Sequence, residues 1–143
     1  MIAIDTNILV YAFDITYNEK REICKNLITN IFEGKEKGML TNQILAEFAN
    51  AVTKKIEKPI SKQDAKSIIG AIIWSENWEI KNYNSKTILK TLDSEGPFWD
   101  LLIAETLKEA NIKKIVTENE KDFKDLGLDV ENPLKKLREW GQQ

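Results

Sequence analysis

The chain begins with MIAIDTNIL over residues 1–9, in which a short apolar run ends at a polar trio. The run Ile2 to Ile4 is rich in β-branched side chains, which favours a buried strand. The trio Asp5-Thr6-Asn7 suits a turn that ends this strand and caps a helix. Asp5 therefore lies either at a helix N-cap or in a cleft beyond the strand, and the sequence alone leaves both open.

Outward from this strand, short apolar runs alternate with segments of helical spacing. Further strands are predicted at Met39-Leu40, Trp78–Ile80, Ile115-Val116 and Leu128–Val130. Helices are predicted over 17–32, 42–56, 85–92 and 100–110, with Ser85 as the cap of the third. A further helix is predicted after a cap at Ser61, and its buried stripe consists of Ile68, Ile69, Ile72 and Ile73. The alternation predicts an α/β fold, a three-layer α/β/α sandwich with a central mainly parallel sheet, in a single domain over residues 1–143.

The composition excludes several classes of enzyme site. The 143 residues carry a formal net charge of −2 and include no His. Catalysis by Ser-His or Cys-His pairs is therefore excluded, and so are His-ligated zinc and haem sites. The lone Cys24 forms no disulfide within the chain and is expected to be a small core or surface residue. No signal peptide or membrane-length apolar stretch is visible, which favours a cytoplasmic protein without membrane association.

Three later segments carry acids at positions where acids are costly. Glu47 lies at the edge of an apolar helical face, Asp100 lies on the apolar side of its helix, and the turn at 117–123 follows a buried strand. The turn contributes three oxygen donors, Thr117, Asn119 and Asp122. Taken singly, these segments also have structural interpretations. Glu47 suits a solvated helix flank, Asp100 suits a cap or first-turn acid that interacts favourably with the helix dipole, and 117–123 suits an ordinary polar turn.

Together with Asp5, these positions indicate a cation site. Two carboxylates about 4 Å apart repel each other by roughly 4 kcal/mol at an effective dielectric constant of about 20. A cluster of such groups needs a cation, and without His or a usable Cys only oxygen ligands remain. Such ligands favour Mg²⁺ or Mn²⁺. One or two of these ions can activate water, neutralise a phosphate and stabilise a leaving oxygen.

The opening MIAIDTNIL resembles the start of PIN-domain ribonucleases, especially the toxins of VapBC-type toxin–antitoxin pairs. LAEF around Glu47, FWDLLIA around Asp100 and TENEKDF over 117–123 are similar to the later motifs of that family, in the same order. The resemblance spans nearly the whole chain. It implies a PIN-like fold, Mg²⁺- or Mn²⁺-dependent endonucleolytic cleavage of single-stranded RNA, inhibition by a small antitoxin protein, and a homodimer.

The resemblance also implies roles for individual residues. Asp5, Glu47 and Asp100 are carried over as catalytic, metal-binding acids. Asn119 stands where many relatives have Asp, so either Asn119 or Asp122 fills the fourth position, and we predict Asp122. The supporting residues are Thr6, Asn7, Thr117 and Asn119. In the implied mechanism Asp5 and Asp100 anchor the principal ion, Glu47 binds or orients the attacking water, and Asp122 completes the charge set; whether one or two ions act stays open.

RNA contacts and biological role have competing interpretations. The basic residues after Glu47 suit either contacts with an RNA backbone or a solvated face; they are Lys54, Lys55 and Lys58. Three tryptophans suit base stacking, a core or a partner surface; they are Trp74, Trp78 and Trp99. The role is that of a toxin, of a housekeeping RNA-processing nuclease, or of a noncatalytic RNA- or protein-interaction domain with a decayed site, which the Asn119 departure would explain. A haloacid-dehalogenase-like phosphatase is disfavoured, because Asn7 stands where it needs a second acid.

Overall fold

The computed structural model describes residues 1–137. Its strands are β1 (Ile2–Ile4), β2 (Gly38–Thr41), β3 (Trp78–Lys81), β4 (Lys114–Val116) and β5 (Asp129–Glu131). They form one sheet in the order β3-β2-β1-β4-β5, and every neighbouring pair is parallel. The five predicted strands are therefore confirmed, and the sheet is wholly rather than mainly parallel.

Helices connect the strands and cover the sheet. They are α1 (Thr6–Tyr11), α2 (Asn18–Phe32), α3 (Asn42–Asn50), α4 (Lys62–Trp74), α5 (Ser85–Thr91), α6 (Phe98–Glu109) and α7 (Glu120–Phe123). The helix predicted over 42–56 is wrong in its last part, where a π-helical turn, Ala51–Lys55, follows α3. There the Thr53 hydroxyl donates to the Ala49 carbonyl at 2.7 Å, a local bond that competes with regular helix geometry. Within residues 1–137, no helix is long and apolar enough to span a bilayer.

The strand order places a topological switch point at β1. The chain moves outward from β1 to β2 and β3, and then returns to the other side of β1 as β4. The Asp5 backbone N–H donates to the Val116 carbonyl at 2.9 Å, so the carboxyl ends of β1 and β4 are bonded to each other. Ligands of open parallel sheets bind in the crevice at such a point. The residues after Ile4 and Val116 therefore line the expected cleft.

The hydrophobic core includes all three residues of β1, Ile2–Ile4, which are buried. Cys24 is fully buried, and burial raises the pKa of its thiol to about 12. The stripe predicted on α4 is partly wrong, because Ile72 is buried whereas Ile73 is 54% exposed. The predicted cap of α5 is also wrong. Asn84 caps this helix in place of Ser85, since Asn84 and Thr87 exchange the two hydrogen bonds of a capping box.

Candidate active site

Asp5 follows β1 and is the N-cap of α1. Its Oδ1 accepts from the Thr6 backbone N–H at 2.8 Å, and its Oδ2 accepts from the Thr117 hydroxyl at 2.7 Å. The residue is 5% exposed and borders a cavity of about 400 Å³. Burial raises the pKa of Asp5, hydrogen bonds from Thr117 and Thr6 lower it, and the charge of Glu47 raises it further. Asp5 is thus both a helix cap and a cleft acid.

Neutral side chains hold Asp5 in place. The Asn7 amide Nδ2 donates to Thr117 Oγ1 at 3.4 Å and to Asp5 Oδ2 at 3.5 Å. Asn7 Oδ1 accepts from the Glu118 backbone N–H at 3.2 Å, and Thr117 Oγ1 accepts from the Asn119 N–H at 2.9 Å. The network ties α1 to the turn after β4. Because all of its donors are neutral, it fixes the carboxylate without cancelling its charge.

Glu47 reaches the same cavity from α3, which follows β2. Its Oε2 accepts from the Thr6 hydroxyl at 3.2 Å, and its Oε1 accepts from Gln43 Nε2 at 2.6 Å. Gln43 also donates to the Trp99 carbonyl at 3.1 Å, which links α3 to α6. Glu47 is exposed, but two neutral donors, Thr6 and Gln43, orient its carboxylate.

Asp100 lies in the first turn of α6 and is half-buried at the cavity. It is hydrogen-bonded to Asp122, which in turn accepts from Asn119 Nδ2 at 2.6 Å. The pKa of Asp100 is raised to about 7. Burial is the largest cause, the hydrogen bond to Asp122 is the second, and the negative charges of Asp5, Asp122 and Glu47 add to it. A hydrogen bond between two carboxyl groups needs a shared proton. Both candidates for the fourth position, Asn119 and Asp122, are therefore at this site.

The four acids form an uncompensated negative site. None of them pairs with a Lys or Arg in the part of the chain that the structure describes. Across residues 1–137, however, no three acidic side chains are grouped so that they could hold a metal ion as they stand. The structure therefore contains a negatively charged cavity rather than a complete cage of ligands.

Four residues that make polar contacts beside this cavity were not predicted as site residues: Gln43, Tyr11, Lys20 and Glu118. Gln43 was detectable, since it lies four residues before Glu47 and so on the same helix face. Tyr11 lines the cavity, and its hydroxyl donates to Glu118 Oε1 at 2.7 Å. Lys20 forms an ion pair with Glu118 at 3.1 Å. No sequence pattern pairs Glu118 with Tyr11 or Lys20, which are 107 and 98 residues away from it in the chain.

A larger groove of about 690 Å³ lies between α3 and α4, and none of the four acids borders it. Its wall includes Lys54, one of the lysines considered for RNA binding. Among the tryptophans, Trp78 is buried, whereas Trp74 and Trp99 are exposed. Trp78 is therefore a core residue, whereas the base-stacking and partner-surface interpretations both stay open for Trp74 and Trp99.

Comparisons with known proteins agree with this architecture. The family model of the PIN domain matches residues 2–128. No curated protein sequence matches the chain significantly. Among solved structures, VapBC2 from Rickettsia felis bound to a promoter DNA fragment has 26% identity and a TM-score of 0.60, over 92% of this chain and 98% of that chain.

Two other solved structures share the fold at lower identity. VapC20 of Mycobacterium tuberculosis, described as a sarcin-ricin loop cleaving toxin, has 14% identity and a TM-score of 0.65, over 90% of this chain and 96% of that chain. A toxin–antitoxin complex from Klebsiella pneumoniae has 18% identity and a TM-score of 0.64, over 93% of this chain and 98% of that chain. The predicted fold is therefore confirmed.

Proposed function

Because the chain belongs to the PIN domain family, we propose that it is a divalent-metal-dependent endoribonuclease that cleaves single-stranded RNA. We further propose that it is the toxin of a type II toxin–antitoxin pair. The observation that carries the proposal is that Asp5, Glu47 and Asp100 border one cavity at the switch point of the sheet. Asp122 lies beside Asp100, and none of these acids has a basic partner in residues 1–137.

The donor set fits Mg²⁺ or Mn²⁺. Mg²⁺ is commonly bound through one or two carboxylates and several waters, so a cavity without a three-acid group still suits it. Asp5 and Asp100 are the proposed ligands, with Asp122 beside Asp100 as the fourth acid. When bound, such an ion would activate water and neutralise phosphate charge.

The protein's own residues would prepare the reaction. Thr117 and Thr6 hold Asp5, so its carboxylate needs no reorientation. Thr6 and Gln43 occupy one lone pair on each Glu47 oxygen and leave the others free, which suits a carboxylate that orients the attacking water. Asn119 would support Asp122 through its amide. Asn7 would keep this turn against α1.

Cleavage of a defined single-stranded RNA tests this function. We expect cleavage with MgCl₂ or MnCl₂, none with EDTA, and none by Asp5→Asn. Asp93→Asn is the matched control, because Asp93 is an exposed acid in the loop before α6. Cleavage by Asp5→Asn at the rate of the parent would overturn the assignment. A noncatalytic domain would instead bind RNA equally with and without metal and cut none.

The toxin role is tested in cells. Induced expression is expected to arrest growth, and Asp5→Asn is expected not to. A housekeeping nuclease would cause no arrest at comparable expression. Rescue by the product of a neighbouring gene would identify the antitoxin.

The groove between α3 and α4 supports a helical antitoxin as partner. Apolar residues form much of its wall, including Ile69 and Ile73, and Lys54, Lys62 and Lys66 also line it. This pattern complements an amphipathic helix with acidic flanks. A Cβ on Gly70 would contact nothing within 4 Å, so this position accepts a side chain, and Gly70→Leu would place one in the groove. We expect Gly70→Leu to weaken antitoxin binding while Gly70→Ala retains it, and equal binding by both would refute this surface.

The homodimer implied by the family resemblance is proposed at α5. Leu89 and Leu92 are 68% and 67% exposed there, and such a patch is stabilised by burial against a second copy. Light scattering is expected to give a dimer for the parent protein and a monomer for Leu89→Glu. A dimer in both would exclude this interface.

A further inference from the structure

We propose that Tyr17 and Lys20 form an RNA-binding subsite beside the acidic cavity. In this subsite the Tyr17 ring stacks on a base, and the Lys20 ammonium donates to the neighbouring phosphate. The inference rests on the proposed function and names the part of the surface that holds the strand next to the cleavage site.

Tyr11 connects the subsite to the cavity. One part of Tyr11 lines the cavity that contains Asp5 and Asp100. Its ring also meets the Tyr17 ring edge-on, with ring centroids 5.8 Å apart and an interplanar angle of 87°. The subsite is therefore one aromatic ring away from the acids.

Lys20 is fixed by its neighbours and retains donor capacity. Its Nζ donates to Glu118 Oε2 at 3.1 Å and to the Tyr11 hydroxyl at 3.3 Å. The same atom lies 4.7 Å from the Tyr11 centroid and 5.4 Å from the Tyr17 centroid. An ammonium has three donors, and these two bonds are the ones it makes within residues 1–137. The third donor is left for a phosphate oxygen.

Tyr17 presents an exposed ring that is already oriented. It is 49% exposed and precedes α2 without making a side-chain capping bond. It borders a recess of about 320 Å³ that Lys20 and Leu137 also line. A second recess of about 380 Å³, lined by Lys20, Glu118 and Asn132, continues along the surface. An exposed aromatic ring next to a cation is one of the arrangements by which proteins hold single-stranded nucleic acid.

The charges indicate how the affinity is divided. Lys20 and Glu118 form a pair whose net charge is close to zero, so a general attraction for RNA is not expected here. Base stacking on Tyr17 should supply most of the affinity, and Lys20 should add one phosphate contact. The two contributions can be separated, because only the phosphate contact depends on salt.

The test measures binding of a 3′-fluorescein single-stranded RNA in EDTA and its cleavage in MgCl₂, using the full chain. Tyr17→Ala is expected to weaken binding at least about fivefold and to raise KM without lowering kcat, whereas Tyr17→Phe keeps both near the parent values. Lys20→Gln is expected to reduce the slope of log Kd against log salt by about 0.7. Melting temperatures check that the variants fold, and duplex RNA, whose bases are stacked inside, should not respond to Tyr17→Ala.

The outcomes separate this subsite from the proposed function. If the parent cuts RNA and Tyr17→Ala changes neither Kd nor KM, the subsite is refuted and the nuclease stands. If the parent cuts nothing but Tyr17→Ala still weakens binding, the nuclease is refuted and the subsite stands. If the parent neither binds nor cuts RNA, both are refuted.

Discussion

Asp100→Asn is expected to stabilise the metal-free protein at alkaline pH while abolishing RNA cleavage. Asp100 is half-buried, bonded to Asp122 and close to the charges of Asp5 and Glu47, and these causes raise its pKa to about 7. An uncharged amide of the same shape removes the repulsion and can still donate to Asp122. The variant is therefore expected to be more stable at alkaline pH, but it lacks a proposed metal ligand.

The magnitude follows from proton linkage. A rise in pKa from the model-peptide value of 3.8 to about 7 corresponds to about 4 kcal/mol, at about 1.4 kcal/mol per pKa unit. Because the group is half-exposed, solvent screening reduces this to about 2 kcal/mol. The folded state of the parent holds the proton more tightly than the unfolded state. The contribution is therefore fully favourable below about pH 4 and is lost as the pH rises to about 7 and beyond.

Thermal unfolding in EDTA, followed by circular dichroism from pH 5 to pH 8.5, measures this effect. About 2 kcal/mol corresponds to a melting temperature about 4–8 °C higher than that of the parent at pH 8, with a smaller difference at pH 5. Asp93→Asn serves as the control and should follow the parent at every pH, because Asp93 is exposed. An Asp100→Asn protein that melts below the parent at pH 8, or with an equal difference at both pH values, would refute the reasoning.

Three further outcomes are expected. Thr117→Val removes the 2.7 Å hydrogen bond to Asp5 and should lower the free energy of unfolding by about 2 kcal/mol at pH 8; urea denaturation measures it, and Thr117→Ser should restore most of it. Mg²⁺ should raise the melting temperature of the parent more than that of Asp100→Asn, reversibly with EDTA, and an equal rise would place the ion elsewhere. Gly38→Ala should cost about 1–3 kcal/mol, since its Cβ would lie 2.8 Å from the Trp78 ring; Gly70→Ala, with open space around it, should not.

Most of the fold was predictable because β1, β2 and β4 each contain a short apolar run. The signal is weaker for β5, where Val130 is the one apolar residue between two acids. The features that were predicted wrongly depend on side-chain hydrogen bonds to the backbone and on which surfaces are covered by neighbouring elements. The π-helical turn arises where Thr53 bonds to the backbone, and helical periodicity carries no such signal. Ile73 has the spacing of a buried residue, but nothing within residues 1–137 covers it fully. The cap at Asn84 was readable, since Thr87 completes its capping box.

The positions of the acids were predictable to different degrees. Asp5 follows from the strand end alone, because the end of a central strand opens at the switch point. The positions of Glu47 and Asp100 were predicted from the apolar faces of their helices. That the two side chains lie close together depends on how α3 and α6 pack on the sheet, which the sequence does not show. The contact of Asp122 with Asp100 depends on the short helix α7, which the sequence gives only as a polar turn. Their roles in metal binding stay predictions.

The hydrogen bonds that position the acids of this cavity explain why we expect it to bind a cation. Thr117, Thr6 and Gln43 position the carboxylates with neutral donors, whereas an ion pair would have positioned them and cancelled their charge. Lys20, which donates to the cavity-lining Tyr11, forms its ion pair with Glu118 instead. Burial and, after it, the hydrogen bond to Asp122 and the neighbouring negative charges raise the pKa of Asp100, so protons relieve this cost in the free protein. A divalent ion that displaces those protons would bind more tightly as the pH rises, so Mg²⁺ affinity should increase between pH 6 and pH 8, and a pH-independent affinity would place the ion away from Asp100.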